Sequence, residues 1–274
     1  MIYREIASPS SLSEVVRCFW YLKSDYSERP KHYEALWPQG NPELIFHYGS
    51  DYSLDPRFSR PLNHSIVIGP LTKGIKFHST GLVEVYGVRF LPHSWNFIFG
   101  DAAHVFVDRI IPLEDIWDLQ ARELEEQAFG TTIESFGMLM QDALLARMSI
   151  ELEPNRFVPE LVSSIEQSGG KTYLSDLIKS LPFSARTVER KFKENVGISP
   201  KKLHRITRFN AVRKHLLFNP TADLMDLVFD YNYYDYSHLS KDFKVGLELS
   251  PKEFQLFVQE MINPHLGSVE FLQD

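Results

Sequence analysis

Arg186, Glu189, Arg190 and Lys193 recur at three- and four-residue intervals, so on a helix they share one face. Val188 and Phe192, four apart, mark the opposite face, which must turn toward a core. A helix with an apolar back and outward Arg and Lys side chains suits the DNA major groove. Lysine neutralises phosphate there, and arginine pairs through two hydrogen bonds with O6 and N7 of guanine.

Charge along the chain supports that reading in one stretch only. The formal net charge is −7, which argues against a polyanion as partner if it is evenly spread. Residues 1–155 hold 13 Lys and Arg against 21 Asp and Glu, and residues 219–274 hold 3 against 10. Residues 171–218 reverse the balance, with 12 against 3. Such a local surplus is the electrostatic footprint of a phosphate-contacting surface inside an acidic protein. A solvated basic face on an ordinary helical domain is the alternative for a lone charge run.

The elements that must hold this face come as a repeat. Leu174, Asp176, Leu177 and Ile178 match Leu224, Asp226, Leu227 and Val228 at an offset of 50. Val188, Phe192, Lys193, Val196, Ile198, Ser199 and Pro200 match Leu239, Phe243, Lys244, Leu247, Leu249, Ser250 and Pro251 at 51, which places one inserted residue in the second turn. Each copy reads as helix, tight turn, helix, then a Ser-Pro start with serine as N-cap and proline in the first helical position. Ser250 and Glu253 form a capping box. Between the copies Pro200 to Leu217 reads as a helix with Leu203, Ile206, Phe209 and Leu216 as its inner stripe. Two recognition helices about 34 Å apart would enter successive major grooves on one face of the duplex.

These residues resemble the AraC family of transcriptional regulators. Ser184 to Phe192, followed by Gly197-Ile198-Ser199-Pro200, is similar to the first family signature; Ser237 to Lys244, through Ser250-Pro251-Lys252-Glu253-Phe254, is similar to the longer second one. The resemblance covers roughly residues 160–258. It implies base reading by Arg186, Glu189 and Arg190 in the first unit and by Tyr236, Ser237, Ser240 and Lys241 in the second, with Thr187, Lys193 and Lys244 in the same DNA-binding set. Two positions depart from the pattern. Asn232-Tyr233 replaces the usual Gly-Phe, and asparagine tolerates the left-handed turn; Glu248 replaces the usual glycine, which is expected to alter that loop. The second recognition region carries only Lys241 and Lys244 against Asp242, so the first unit is expected to supply most of the affinity.

The first half mixes short apolar runs, Glu43 to Tyr48, Ser65 to Ile68 and Val83 to Phe90, with turn signals such as Pro38-Gln39-Gly40-Asn41-Pro42, and reads as an antiparallel sheet or small barrel. From Leu113 the period becomes helical, with Leu113, Ile116, Trp117, Leu119 and Leu124, then Ile133, Phe136, Met140, Leu144 and Leu145, describing two amphipathic helices. Their stripes, with the habits of the resembled family, point to a homodimer. Glu151 to Asn155 reads as a linker. The expected class is α+β: residues 1–155 form a sensing domain and residues 156–274 an all-α module with two helix-turn-helix units joined by a linker helix. Arg17 to Leu22, Trp37 to His47, Gly69 to Thr72 and Tyr86 to Phe90 resemble a cupin-like domain found ahead of such modules, which implies a β-rich barrel and an unknown small-molecule effector.

Enzymatic chemistry has little purchase. A metal-holding cupin needs clustered ligands, usually a His-x-His pair and a nearby glutamate, but the ten histidines are dispersed and no such pair occurs. His47 on an alternating strand can face a cavity with Glu43, and Arg89 can bind an anion, against the commoner roles of structural histidine and of arginine paired with Glu84 or Glu43. The single cysteine, Cys18, reads as a buried apolar residue, cannot form an internal disulfide and disfavours a DNA-repair reading. Gly169-Gly170-Lys171-Thr172 lacks the first glycine and preceding strand of a phosphate-binding loop. The glycosylation pattern Asn63-His64-Ser65 has no use in the cytoplasm, where the absence of a signal peptide or membrane span places the chain. Double-stranded DNA is the expected partner, RNA polymerase a candidate second, and no cofactor is expected. The other reading is a cupin-type metal-dependent enzyme carrying a DNA-targeting module.

Overall fold

A computed structural model describes residues 1–27, 33–50, 52–54, 65–79, 81–100, 102–148 and 157–262. Asn63, His64 and the linker at Glu151 to Asn155 lie outside them.

Among the described residues nine strands build the N-terminal region: β1 (Ile2–Ala7), β2 (Val16–Asp25), β3 (Tyr33–Leu36), β4 (Glu43–Gly49), β5 (Tyr52–Leu54), β6 (Ser65–Ile68), β7 (Ile75–Ser79), β8 (Leu82–Phe90) and β9 (Ile110–Pro112). They form two antiparallel sheets, one of six strands in the order β1-β2-β8-β4-β6-β9 and one of three in the order β3-β7-β5. The expected antiparallel domain is thus present, and the three strands read in the sequence are β4, β6 and β8.

The large sheet is covered on both faces, which explains why β4 and β6 read as nearly unbroken apolar runs. Cys18, Trp20, Leu22, Ile45, Ile66, Ile68, Val83 and Val85 on one face pack with Ile75 and Phe77 of the small sheet. Phe19, Leu44, Phe46, Val67, Tyr86, Val88 and Phe90 on the other face meet helices α1 (Trp95–Phe99), α2 (Glu114–Trp117), α3 (Leu119–Ala128) and α4 (Ile133–Arg147). The helical stretch after Leu113 was expected as two helices, but Asp118 in a positive-φ conformation (φ 46°) divides the first into α2 and α3. Most of the apolar stripe is consumed internally: Leu113, Trp117, Leu124, Ile133, Phe136, Met140 and Leu144 are buried, whereas Leu119 and Leu145 are exposed.

The second half is helical throughout its described length: α5 (Phe157–Gln167), α6 (Leu174–Lys179), α7 (Ala185–Val196), α8 (Pro200–Phe218), α9 (Leu224–Asp230), α10 (Tyr236–Leu247) and α11 (Pro251–Ile262). Two separate cores follow the repeat. Val188, Phe192, Val196, Leu203 and Ile206 close the first with α5, and Phe209, Val212, Leu227, Leu239, Phe243 and Phe254 close the second. Helix α8 contributes to both and so sets the spacing of the units. Both turns have five residues; the extra residue of the second copy lengthens α9 to seven residues against six in α6, rather than lying in the turn as the offset suggested.

Contacts join the halves. Arg17 Nη2 reaches both carboxylate oxygens of Glu166 at 2.6 and 2.8 Å. Asn210 Nδ2 donates to the Pro38 carbonyl at 2.8 Å, and Arg213 lies 4.4 Å from the Trp37 ring centroid.

Candidate nucleic-acid interface

Each recognition helix is fixed at its start by its own sequence. In α7 the Ser184 hydroxyl accepts from the Thr187 amide at 3.2 Å, and in α10 the Asp235 carboxylate accepts from the His238 amide at 2.7 Å. Each cap satisfies a helix-start amide and is worth about 1 kcal/mol. The following helices begin as the Ser-Pro pattern requires. Ser199 accepts from Lys202, and Ser250 and Glu253 exchange two hydrogen bonds as a capping box.

Burial fixes the outward face. Val188, Phe192 and Val196 of α7 are fully buried, as are Leu239 and Phe243 of α10. Arg186, Glu189, Arg190 and Lys193 are exposed on α7, with Thr187 half-buried beside its cap. Ser237, Lys241 and Lys244 are exposed on α10, with Tyr236 and Ser240 half-buried. The sequence-predicted residues therefore occupy one outward row on each helix. Arg190 is not idle in that row: its Nη1 donates to Glu194 Oε1 at 2.9 Å, one turn away, and Lys191 Nζ lies 3.2 Å from Oε2. A base or phosphate that uses Arg190 Nη1 competes with Glu194 for it, a small cost for an exposed pair.

On the second unit the outward row opens into a groove of about 530 Å³ lined by Tyr236, Ser237, Ser240, Lys241 and Lys244, together with Arg205 from α8. The sequence reading passed over Arg205. It also counted Asp242 as an exposed charge offsetting the lysines, whereas Asp242 is buried. Its carboxylate accepts from Arg205 Nε and, at 3.1 Å, from the Tyr233 hydroxyl; Arg208 Nη2 lies 3.8 Å away. Burial, and next the Asp242 carboxylate, push the Tyr233 hydroxyl well above the usual phenol range. The signal was position: Asp242 directly precedes inward Phe243, and Arg205 and Arg208 directly precede inward Ile206 and Phe209.

The two departures from the signature are resolved in the backbone. Asn232 takes the left-handed conformation (φ 53°), as expected, and its side-chain amide donates to the Lys171 carbonyl. Glu248 also takes it (φ 62°) as C-cap of α10, where Gly197 (φ 83°) caps α7, and its carboxylate pairs with Lys76 Nζ at 2.5 Å. Glu248 thus keeps the glycine-like turn instead of altering it. The Gly169-Gly170 stretch is a loop after α5, and Lys171 Nζ lies 4.6 Å from the Tyr231 ring centroid.

The N-terminal candidates do not converge. Glu43 and Arg89 are register partners on β4 and β8, and Arg89 Nε donates to Glu43 Oε1 at 2.7 Å. Glu84, the other proposed partner, lies on the opposite face of β8 and binds Tyr21 and Lys23 instead. His47 pairs in register with Val85, four residues along β4 from Glu43 and about 13 Å away along the strand. Burial pushes the Cys18 thiol up to about 12, which leaves it a poor nucleophile at neutral pH. Among the described residues no three His, Cys, Asp or Glu side chains are grouped to hold a metal ion, and no helix is long and apolar enough to cross a membrane.

Paired capped helices with outward polar rows, strongly cationic in the first, on separate cores define a double helix-turn-helix, a DNA-binding class. Comparison with known families agrees: residues 177–256 match the family described as a helix-turn-helix domain, and residues 4–112 match a domain of unknown function, DUF6597. The C-terminal module is an AraC-type helix-turn-helix domain, a DNA-binding module. No curated protein matches. Among solved structures the chain is similar to ToxT from Vibrio cholerae (12% identity, TM-score 0.46, 86% of this chain and 98% of that one). It is also similar to ToxT from Vibrio cholerae O395 bound to (E)-4-(8-methylnaphthalen-1-yl)but-3-enoic acid (12% identity, TM-score 0.47, 87% and 99%).

Proposed function

We propose that the chain reads a specific operator by laying α7 and α10 into successive major grooves. Arg186, Thr187, Glu189, Arg190 and Lys193 contact DNA from the first unit, and Tyr236, Ser237, Ser240, Lys241 and Lys244 from the second. The observation that carries this reading is the outward row on each recognition helix, backed by buried Phe192 and Phe243 and held by side-chain caps. Residues 156–274 act as the reading module and residues 1–155 as a cupin-like sensing domain whose ligand biases DNA engagement. The two facing sheets support the cupin-like part; the solved ToxT complex with a butenoic acid derivative is a precedent for a small-molecule effector in a protein of similar organisation.

The protein works as a cytoplasmic homodimer through α3 and α4, where Leu119, Met138 and Leu145 remain exposed, and RNA polymerase is the further partner. Catalysis forms no part of this reading.

The test is fluorescence anisotropy of the full chain against duplex from its own upstream region and a scrambled duplex, over a salt series. The native duplex should bind tighter, affinity should fall steeply with salt, and Arg190→Ala should erase the preference. Equal weak binding of both duplexes, unchanged by Arg190→Ala, would sink the assignment of that operator. Sedimentation as a monomer at micromolar concentration would sink the dimer.

A further inference from the structure

The second unit lacks the cations that a helix needs to sit between two phosphate backbones. Its recognition helix and the preceding α9 carry Lys241 and Lys244 against Asp223, Asp226, Asp230 and Asp235 at or beside them, Asp242 being buried. The basic surplus of the module lies instead in residues 171–218, which include the linker helix α8. Arg205 is where that surplus borders the second groove, because it lines the same opening as Tyr236, Ser240, Lys241 and Lys244.

Two further observations separate Arg205 from an ordinary internal ion pair. Its side chain is 37% exposed, whereas that of Asp242 is 1% exposed, so the carboxylate holds the guanidinium from behind. Arg208 also reaches Asp242 from the interior, with its guanidinium carbon 4.0 Å from the Tyr233 ring centroid and Nη1 donating to the Asn232 carbonyl at 3.1 Å. Two guanidinium groups therefore face one carboxylate, which leaves one positive charge in surplus, and the more exposed member of the pair is Arg205. Only its Nε is bonded; among the described residues Nη1 and Nη2 have no hydrogen-bond partner.

We propose that Arg205 is a DNA-phosphate contact of the second unit, supplied by the linker helix and aimed by the buried carboxylate of Asp242. It comes from the helix packed beside α10 rather than from the crest of α10, so it meets the backbone that walls the groove and not the base edges. Asp242 is then a positioning residue. The inference rests on the second unit entering DNA as described above.

The test uses the full chain and a 30-base-pair duplex that the wild type selects from a random pool. A phosphate contact contributes about 0.9 to the slope of log affinity against log salt. Between 50 and 200 mM salt the wild type should lose about 3.5-fold more affinity than Arg205→Met, while Arg205→Lys keeps the wild-type slope. Equal slopes for the wild type and Arg205→Met overturn the proposal, whatever the affinity at one salt concentration, since a purely structural brace would weaken binding without changing the charge count. Should Arg205→Met not fold, phenylglyoxal modification of the wild type decides: protection of Arg205 by the selected duplex supports the contact, and equal modification with and without DNA overturns it. A pool from which no duplex is selected defeats the sequence-specific reading itself, and this inference with it.

Discussion

The two helix-turn-helix units use the same frame and different chemistry. Each has a five-residue turn, a side-chain cap, a buried phenylalanine on the recognition helix and a left-handed C-cap. In the first unit the outward row brings its own cations, Arg186, Arg190 and Lys193, on a helix whose only acidic residues are Glu189 and Glu194. In the second the row is tyrosine, serine and two lysines, the adjoining segments are acidic, and an aspartate is turned inward to hold arginines from a neighbouring helix. A fold can thus be duplicated while the chemistry of its outward face diverges. The residues outside the apolar frame are free to diverge because the frame does not depend on them.

The largest effects should come from breaking the frame itself. Phe192→Ala and Phe243→Ala each delete a fully buried ring and should cost about 3–5 kcal/mol. Phe243 lies toward the upper end, since its ring meets both Phe209 at 5.2 Å and Phe254 at 5.8 Å. The cores are separate, so hydrogen exchange on Phe243→Ala should speed in α9 to α11 and stay slow in α7. Equal loss of protection in both units would show that α8 welds them into one cooperative body.

Charge should distinguish the units next. Arg190→Ala is expected to cost about 1–3 kcal/mol of discrimination between the selected operator and a variant altered at one guanine. Lys241→Ala should weaken operator and scrambled DNA alike and lower the salt slope by about one. Anisotropy titrations at three salt concentrations separate these results. If Lys241→Ala instead relaxes specificity as strongly as Arg190→Ala, Lys241 reads base edges, as the family resemblance implies, and does not act on phosphate alone.

Much of this was legible in the sequence because it is local. Helix boundaries followed from Ser-Pro pairs, and the outward rows from the spacing of Val188, Phe192, Leu239 and Phe243, which a helix converts directly into faces. The strands β4, β6 and β8 were legible because their apolar runs sit between turn residues. Long-range placement was not. Asp242 reads as an exposed charge until α8 brings Arg205 and Arg208 to it, 37 and 34 residues away along the chain. The division at Asp118 carries no glycine to announce it. Glu84 and Glu43 are equal candidates for Arg89 until strand register puts them on opposite faces.

The smallest effects, and the finest contrast, lie at the two C-caps. Gly197 and Glu248 occupy equivalent left-handed positions, which cost a residue with a Cβ about 1–2 kcal/mol. A Cβ on Gly197 would also meet the Ala103 carbonyl and Val107 of the N-terminal region, so Gly197→Ala should cost at least that much. Glu248→Gly removes the same strain from the second unit but offsets it in two ways. It loses an exposed ion pair with Lys76, worth about 0–1 kcal/mol, and it loosens the unfolded chain by about 0.4–1 kcal/mol. The net expectation lies between a loss of about 1 and a gain of about 1.6 kcal/mol, read as a shift in urea midpoint at constant slope. A loss above 1 kcal/mol would mean that Lys76 holds Glu248 more strongly than an exposed pair should; Lys76→Met in the wild-type background would then reproduce that loss, tying the cap of the second recognition helix to the N-terminal domain.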